Sequence, residues 1–245
     1  MKKLLFPLFI ISFLSSFSQQ GIFGVASSGG TGAGVYFSID ADGQNYTVQH
    51  KFEVTEKGSS PVNSKLVEVN NRMYGTTTYG GVNNLGVIFE YNMQSENYTI
   101  IHEFDFIDGQ NPNNAMILHT DGMLYGMTQW GGANDYGTIY RINPNINSFT
   151  KLYDFNSIDG GIPSGLLLSA NNTLYGVTEF GGTNDLGVIF EFNPVNSTYN
   201  NLFSFDDVNS GKNPEGQLIE ANSRLYGYTK SGGASSRGTV FEFDY

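Results

Sequence analysis

The sequence predicts an all-β protein assembled from tandem repeats of about 51 residues. One segment, which reads LYGVTEFGGTNDLGVIFEF in its clearest copy, recurs five times along the 245 residues. Turn-forming residues recur about every ten positions, and apolar residues do not follow helical spacing in the repeats. This pattern is typical of a β-propeller, for which we predict about five blades of four antiparallel strands each. The glycine after the leading aromatic residue marks the period at Gly24, Gly75, Gly126, Gly176 and Gly227.

The four strands of a unit are clearest in the fourth copy of the repeat. Strand a is predicted at Leu166–Ser169, strand b at Thr173–Glu179, strand c at Val188–Asn193 and strand d at Tyr199–Phe205. Asparagines and glycines separate these strands, and such residues favour turns because they tolerate positive φ. A glycine followed three residues later by a proline closes each unit, and we predict a loop there. The four pairs are Gly58 and Pro61, Gly109 and Pro112, Gly160 and Pro163, and Gly211 and Pro214.

Apolar residues on both faces of strands b and c predict that neighbouring sheets cover each sheet. In strand c of the fourth copy, for example, Val188, Ile189 and Phe190 follow one another. A single four-stranded sheet cannot bury two apolar faces, so the units should fold only together. We also expect the repeated glycine, Gly176 in this copy, to permit close backbone approach where blades converge.

The first and last blades are predicted to be incomplete. If residues 1–18 are a signal peptide and residues 19–245 one repeat domain, the first unit lacks strand a and the last lacks strand d. We favour a ring of five blades in which these two are three-stranded, and an open or solenoidal array is the alternative. The predicted units are approximately 22–61, 62–112, 113–163, 164–214 and 215–245.

The amino terminus has the features of a signal peptide. Lys2 and Lys3 precede the apolar segment Leu4–Phe17, and the small residues Ser16 and Ser18 stand at the expected cleavage site. The apolar segment is too short to span a bilayer. We therefore expect export to the periplasm, the cell surface or the medium, without insertion into the membrane.

Composition excludes several classes of site. The chain has no cysteine, which excludes disulfides, zinc thiolates and cysteine nucleophiles. Its formal net charge of −11 argues against nucleic acid as a partner. The sequence contains neither a phosphate-binding loop nor a Gly-x-Ser-x-Gly nucleophile motif. We therefore predict no cofactor, and the sequence does not indicate an oligomeric state.

The histidines and the acidic loops indicate packing and turns rather than catalysis. His50 and His102 occupy matched positions, but later units place Tyr153 and Phe203 there, so the position accepts several kinds of aromatic ring. We predict neither a metal site nor catalytic residues. The aspartates after strand d, such as Asp105, are expected to be solvated turn residues. Carboxylates from different blades could still meet as a glycosidase-like pair, which keeps an enzymatic alternative open.

Positions that vary between units while staying polar or aromatic mark a candidate ligand-binding face. The threonine in strand b is the same in four units, whereas the two residues after it differ. Trp130 is the only tryptophan, and a ring beside amides and carboxylates suits a sugar or a peptide. The alternatives are simple solvent exposure, or a Trp130 that fills a gap between blades. The predicted face consists of Gln129, Trp130, Asn134, Asp135, Glu179, Phe180, Asn184 and Asp185.

The repeat resembles the GloVer tandem repeat and, more generally, the kelch-type propeller blade. The resemblance rests on a Leu-Tyr-Gly-x-Thr string, a double glycine and a Gly-x-Ile-Phe string, and it covers nearly the whole mature chain. It implies a secreted or surface-displayed bacterial β-propeller and brings no catalytic residues with it. The first copy departs from the pattern at Phe23, Ala26 and Phe37. The matching residues of the fourth copy are Leu174, Tyr175, Gly176, Thr178, Gly181, Gly182, Gly187, Ile189 and Phe190.

Together these observations predict a secreted, non-catalytic protein that binds a glycan or a protein through the loops around the double glycines. One alternative is an extracellular polysaccharide hydrolase or lyase on the same scaffold. A structural spacer, or a fragment of a longer surface protein, is a further alternative. Two or more carboxylates that converge in one pocket would favour the enzyme, and carboxylates dispersed among turns would favour the binding protein.

Overall fold

The computed structural model describes residues 21–28, 33–52, 58–61, 65–112, 114–165, 168–170 and 172–245. The predicted signal peptide, residues 1–18, lies outside them, as do the first two residues of the predicted strand a of the fourth unit. The described part of the chain consists of strands, turns and bends, which confirms the all-β prediction. A helix long and apolar enough to cross a membrane is not found in it.

The strands form five antiparallel sheets that follow one another in chain order. Sheet 1 contains β1 (Ile22–Ala26), β2 (Val35–Ile39) and β3 (Thr47–Lys51). Sheet 2 contains β4 (Val67–Val69), β5 (Arg72–Thr77), β6 (Val87–Asn92) and β7 (Asn97–Glu103). Sheet 3 contains β8 (Ile117–Leu118), β9 (Leu124–Thr128), β10 (Thr138–Asn143) and β11 (Ser148–Asp154). Sheet 4 contains β12 (Gly161–Pro163), β13 (Leu168–Ala170), β14 (Thr173–Phe180), β15 (Val188–Asn193) and β16 (Thr198–Ser204), and sheet 5 contains β17 (Lys212–Ala221), β18 (Arg224–Ser231) and β19 (Val240–Asp244).

Sheet 4 shows how closely the strands follow the sequence pattern. Strand c is β15 with the predicted bounds, strand b is β14 and extends one residue further, and strand d is β16, shifted by one residue. The predicted strand a overlaps β13 alone, and β12 precedes it; both pair with β14. In β12, Gly161 opposes Phe180 and Pro163 opposes Thr178. The prediction of a loop between glycine and proline is therefore wrong here, because this backbone pairs with β14 as part of sheet 4.

Four clusters of buried side chains fill the spaces between consecutive sheets. Between sheets 3 and 4, for example, Met127 and Ile139 belong to the same cluster as Leu174 and Phe190. Sheets 2, 3 and 4 each contribute side chains to two clusters, one on each face of the sheet. The expectation that apolar residues on both faces require neighbouring sheets is thus confirmed.

The repeated glycine of strand b faces an aromatic ring. Gly176 pairs with Phe190 of β15, and a Cβ atom on Gly176 would lie 2.5 Å from the tip of that ring. Gly75 has the same relation to Phe89, also at 2.5 Å. We expected this glycine to permit backbone approach between blades, and that reason was wrong. The crowding comes from the opposite residue of the same sheet, whose ring lies across the glycine before it packs into the cluster.

Backbone approach between glycines occurs instead in the double-glycine loop. Gly181 has a φ of +89°, and a Cβ atom on it would lie 2.4 Å from Cα of Gly160. A second contact links successive sheets, because a Cβ atom on Gly187 of sheet 4 would lie 2.5 Å from Cδ of Pro214 in β17. Both glycines need positive φ and have no room for a side chain. These positions therefore accept only glycine without movement of the backbone.

The inner strands of several sheets converge, whereas described residues on the outer faces of sheets 1 and 5 are exposed. Val67 of β4, Ile117 of β8 and Gln217 of β17 line one cavity of about 340 Å³, as inner strands do around a propeller axis. Val240 of β19 is 85% exposed and Ile22 of β1 is 56% exposed, although their counterparts in the central sheets are buried. Closure of the ring between sheets 1 and 5 therefore stays a prediction.

Replacement of Gly176 by valine should destabilise the protein by roughly 1–3 kcal/mol or more, because the new side chain collides with Phe190. Glu179→Ala is the control, since its carboxylate lies 3.9 Å from Lys230 in an exposed pair worth about 0–1 kcal/mol. Chemical denaturation of both variants gives the comparison. Equal free energies of unfolding would contradict the crowding seen at Gly176.

A second pair of variants separates backbone strain from contact between glycines. Gly122 has a φ of +80°, close to that of Gly181, but nothing lies within 4 Å of a Cβ atom placed on it. Both alanine variants carry the strain of positive φ, about 1–2 kcal/mol. Gly181→Ala should cost roughly 1–3 kcal/mol more than Gly122→Ala, because its methyl group overlaps Gly160. A similar loss of stability in the two variants would argue against a close glycine contact.

Candidate ligand-binding face

The predicted face forms two groups of four residues on adjacent sheets. Each group surrounds one double glycine, where strand b ends and the loop to strand c begins. Trp130 is 38% exposed and Phe180 is 36% exposed, and the matched residue Tyr79 of sheet 2 is 47% exposed. None of the three belongs to the described buried clusters. Trp130 therefore lies at the surface of the array rather than in a gap between sheets.

A threonine two residues earlier fixes the backbone at each of these aromatic positions. Thr128 Oγ1 donates a hydrogen bond of 3.0 Å to the Trp130 carbonyl, and Thr178 Oγ1 makes the same bond to Phe180 at 2.8 Å. The Trp130 backbone also exchanges two hydrogen bonds with Gln110, at 2.8 and 3.2 Å. Because main-chain bonds hold the position, the side chain can differ from unit to unit. The hydrogen bond from the threonine explains both why the threonine is constant and why the side chains after it vary.

The asparagines and aspartates of the face hold the loops in place. Asn134 Nδ2 donates to the Phe155 carbonyl at 2.9 Å, and Asp135 Oδ1 accepts from the Gly131 amide at 2.9 Å. The equivalent pair in sheet 4, Asn184 and Asp185, makes the same two bonds at 2.9 Å. One polar atom of each side chain is therefore engaged within the fold. Their near-constancy between units was the sequence signal for this structural role.

The variable residue directly after the constant threonine forms a row that continues from one sheet to the next. Glu179 Oε1 of sheet 4 lies 3.9 Å from Nζ of Lys230, its counterpart in sheet 5. The Glu179 carbonyl also accepts a hydrogen bond of 3.0 Å from Asn213. Residues at matched positions on adjacent sheets can therefore contact one molecule. The predicted face omitted Tyr79 and Lys230, which matched positions in the repeat could have identified.

The histidines pack as aromatic rings, which confirms their interpretation from the sequence. His50 stacks on Tyr98 with 4.0 Å between ring centroids, and His102 stacks on Phe149 at 3.7 Å. In the next unit Tyr153 makes the same contact with Tyr199 at 4.7 Å. In the part of the chain that the structure describes, no three His, Asp or Glu side chains group together as metal ligands would.

The acidic loops after strand d stabilise their own turns. Asp105 Oδ1 accepts hydrogen bonds from the amides of Ile107 and Asp108 at 2.8 and 2.9 Å. Hydrogen bonds from the side chain of Asn209 and from Ser210 hold the pKa of Asp206 well below its usual range. Asp206 thus stays ionised, and each of these carboxylates serves the loop that contains it.

The Asn-Asp loops supply a test of their structural role. Asp135 has a φ of +60° and accepts from the Gly131 amide, so Asp135→Ala should cost about 1–2 kcal/mol through backbone strain and an unpaired amide. Asp135→Asn should stay near the stability of the parent, because Asn84 makes the same bond in sheet 2. Thermal denaturation checks both variants. If the alanine variant is as stable as the asparagine variant, the side chain does not hold the loop.

Comparison with solved structures finds a neighbour with a β-propeller-like fold. TolB from Acinetobacter baumannii aligns with a TM-score of 0.51 and 13% identity, over 86% of this chain and 46% of TolB. The tricorn protease aligns with a TM-score of 0.48 and 10% identity, over 91% of this chain and 21% of the protease. The chain therefore spans less than half the length of these structures. No curated protein has significant sequence similarity.

The sequence itself matches one family of repeats. The match covers residues 13–171 and 160–245, which is nearly the whole chain and includes all five copies of the repeat. It agrees with the resemblance found in the Leu-Tyr-Gly-x-Thr and double-glycine strings. The protein belongs to the Gloeobacter/Verrucomicrobia repeat family.

Proposed function

We propose that this chain is an exported, non-catalytic protein that binds a glycan, or alternatively a protein, at the predicted face. The observation that carries the proposal is the row of part-exposed rings at matched positions, Tyr79, Trp130 and Phe180. Each ring follows the threonine-anchored end of strand b, so the fold presents it without needing it for the core. Flat aromatic rings at the surface are suited to stack against sugar rings.

Polar side chains beside the rings add the groups that would orient a sugar. The backbone of Gln110 forms an antiparallel bridge with that of Trp130, and Gln129 precedes Trp130 in the chain. On sheet 4, Glu179 precedes Phe180, and only part of its carboxylate is covered by the Lys230 contact. Amide and carboxylate groups that flank an aromatic ring are the usual composition of a small-ligand site. Asn134, Asp135, Asn184 and Asp185 border this row and would contact a ligand with the polar atoms that the loop leaves free.

The proposed architecture is a propeller-like array of five blades, of which the first and last have three strands. The shared cavity at the inner strands and the likeness to TolB support it. We further propose that the chain acts in the periplasm, at the cell surface or outside the cell. Support comes from the charged and apolar segments at the start of the sequence. The net charge of −11 speaks against nucleic acid as the ligand.

The loop carboxylates favour binding over hydrolysis. Asp105 and Asp206 each accept hydrogen bonds from backbone amides of their own turns. Asp154 accepts a hydrogen bond from the Ala133 amide and forms an ion pair with the Lys151 side chain. A glycosidase needs two carboxylates that face one bond of the substrate. Carboxylates tied to separate turns are poorly placed for that chemistry.

The test starts with binding of the mature protein to a glycan array. For the glycan that binds best, Trp130→Ala should weaken binding at least tenfold, or about 1.4 kcal/mol, and leave the melting temperature nearly unchanged. Ile146→Ala is the matched control, since Ile146 is 71% exposed on the turn between β10 and β11, at the opposite end of sheet 3. Full binding by Trp130→Ala, or a large fall in its melting temperature, would refute this role for the ring.

A further inference from the structure

Strand d of each central sheet inserts an aromatic ring into a nest of three other rings. Tyr98 of β7 lies 4.0 Å from His50, 5.9 Å from Phe52 and 5.3 Å from Phe89, measured between centroids. Two rings of this nest come from the preceding sheet and one comes from strand c of the same sheet. Phe149 and Tyr199 occupy the same kind of nest in sheets 3 and 4.

A fourth nest lies between sheets 4 and 5 in the same geometry. It consists of Phe203 and Phe205, which flank the end of β16, and Phe241 of β19. Phe203 and Phe205 are 5.2 Å apart, and Phe205 and Phe241 are 5.3 Å apart. The matching distances in the first nest are 5.1 Å from His50 to Phe52 and 5.4 Å from Phe52 to Phe89. The nest between sheets 4 and 5 is therefore already formed.

This nest opens into a groove that runs beside a free strand edge. The groove has a volume of about 280 Å³, and its lining includes the three phenylalanines together with Val240 and Phe243. Within the described residues, β19 pairs with β18 alone, so its second edge is available for hydrogen bonding. In sheet 4 the corresponding edge of β15 binds strand d, and the Phe205 amide donates to the Gly187 carbonyl at 3.0 Å. Gly238 occupies the position of Gly187 in sheet 5.

We propose that this groove binds an extended segment of another polypeptide, which adds to the edge of β19 as an antiparallel strand. The segment inserts one aromatic side chain into the nest of Phe203, Phe205 and Phe241. Main-chain hydrogen bonds to β19 supply affinity, and the nest selects the ring, as in other cases of strand addition.

The strands of this chain define the sequence that the groove accepts. Each strand d has an aromatic residue six positions before a phenylalanine: Tyr46 and Phe52, Tyr98 and Phe104, Phe149 and Phe155, Tyr199 and Phe205. The partner segment therefore carries an aromatic residue and, six positions later, a phenylalanine. Glu242 and Asp244 of β19 both pair with Arg224, so they set no charge requirement for the residues between the two rings.

A second copy of the chain is a poorer occupant than a separate segment. Its strands β7, β11 and β16 are each paired with strand c of their own sheet. Their aromatic rings are already inserted in nests of the same molecule. A copy would have to unpair one of these strands before it could donate it.

The probe is a synthetic, fluorescently labelled peptide that copies residues 196–206, which contain strand d of sheet 4. We expect it to bind the whole protein saturably, and we expect the matched peptide with Tyr199→Ala to bind at least tenfold more weakly. Fluorescence anisotropy measures both. Equal binding of the two peptides, or no binding of either, would overturn the proposal. So would a concentration-dependent dimer of the protein that competes with the peptide, because the groove would then serve self-association.

A disulfide cross-link locates the peptide, and the absence of native cysteine makes it specific. In sheet 4, Ile189 opposes Phe203, so Val240 should oppose residue 203 of the bound peptide. A peptide with an activated cysteine at that position should couple to the Val240→Cys protein by thiol exchange. Val195→Cys is the control, because Val195 is 86% exposed on the turn between β15 and β16. Preferential coupling at Val195, or equal coupling at both sites, would place the peptide elsewhere and reject the groove.

Discussion

Contact between glycine backbones at the ends of the strands holds successive sheets in their order. The double glycine of one loop lies directly on the glycine of the segment that connects two units, as Gly181 does on Gly160. The proline three residues along that segment then packs under a glycine of the previous unit, as Pro163 does under Gly137. These contacts have no space for a Cβ atom, and most require positive φ. The connecting segment therefore contacts the unit before it through the proline and the unit after it through the glycine.

The aromatic clusters depend on this frame. Once glycine contacts bring two sheets together, the ring of strand c lies across the glycine of its neighbouring strand and reaches the sheet before it. Phe190, for example, covers Gly176 and lies 5.4 Å from Phe155 of sheet 3. Bulky rings and bare backbone thus complement each other in every unit. The structure needs both, which is why the repeat keeps its glycines and aromatics while exposed residues change.

Much of the fold could be predicted from the sequence because it follows from periodicity. The bounds of β15 match the prediction, since β-branched and aromatic residues fill this strand between a glycine and a proline. The pairing of Gly161–Pro163 with β14 could not be predicted, because proline at a strand edge resembles a turn in sequence. The sequence also did not show that the ring of Phe190 is what requires glycine at position 176. A period shows that a residue is required, but it does not show which neighbour requires it.

The candidate face was predictable in part for a related reason. Variation between units identified Trp130 and Phe180, whose side chains the structure leaves part-exposed. The same comparison showed that Asn134 and Asp135 hardly vary between units, but it did not show what they bond to, because their partners are backbone atoms. A bond to the main chain can form with any partner residue, so the identity of the partner does not reveal it in the sequence.

The nests of aromatic rings also give the array a direction. Each nest joins two rings of the earlier sheet to two rings of the later one, so a unit docks onto aromatic rings that its predecessor supplies. Contacts of this kind are local along the chain and favour rapid, stepwise folding. A polypeptide that leaves the ribosome amino terminus first can therefore extend the array by one unit at a time, once two sheets have packed together.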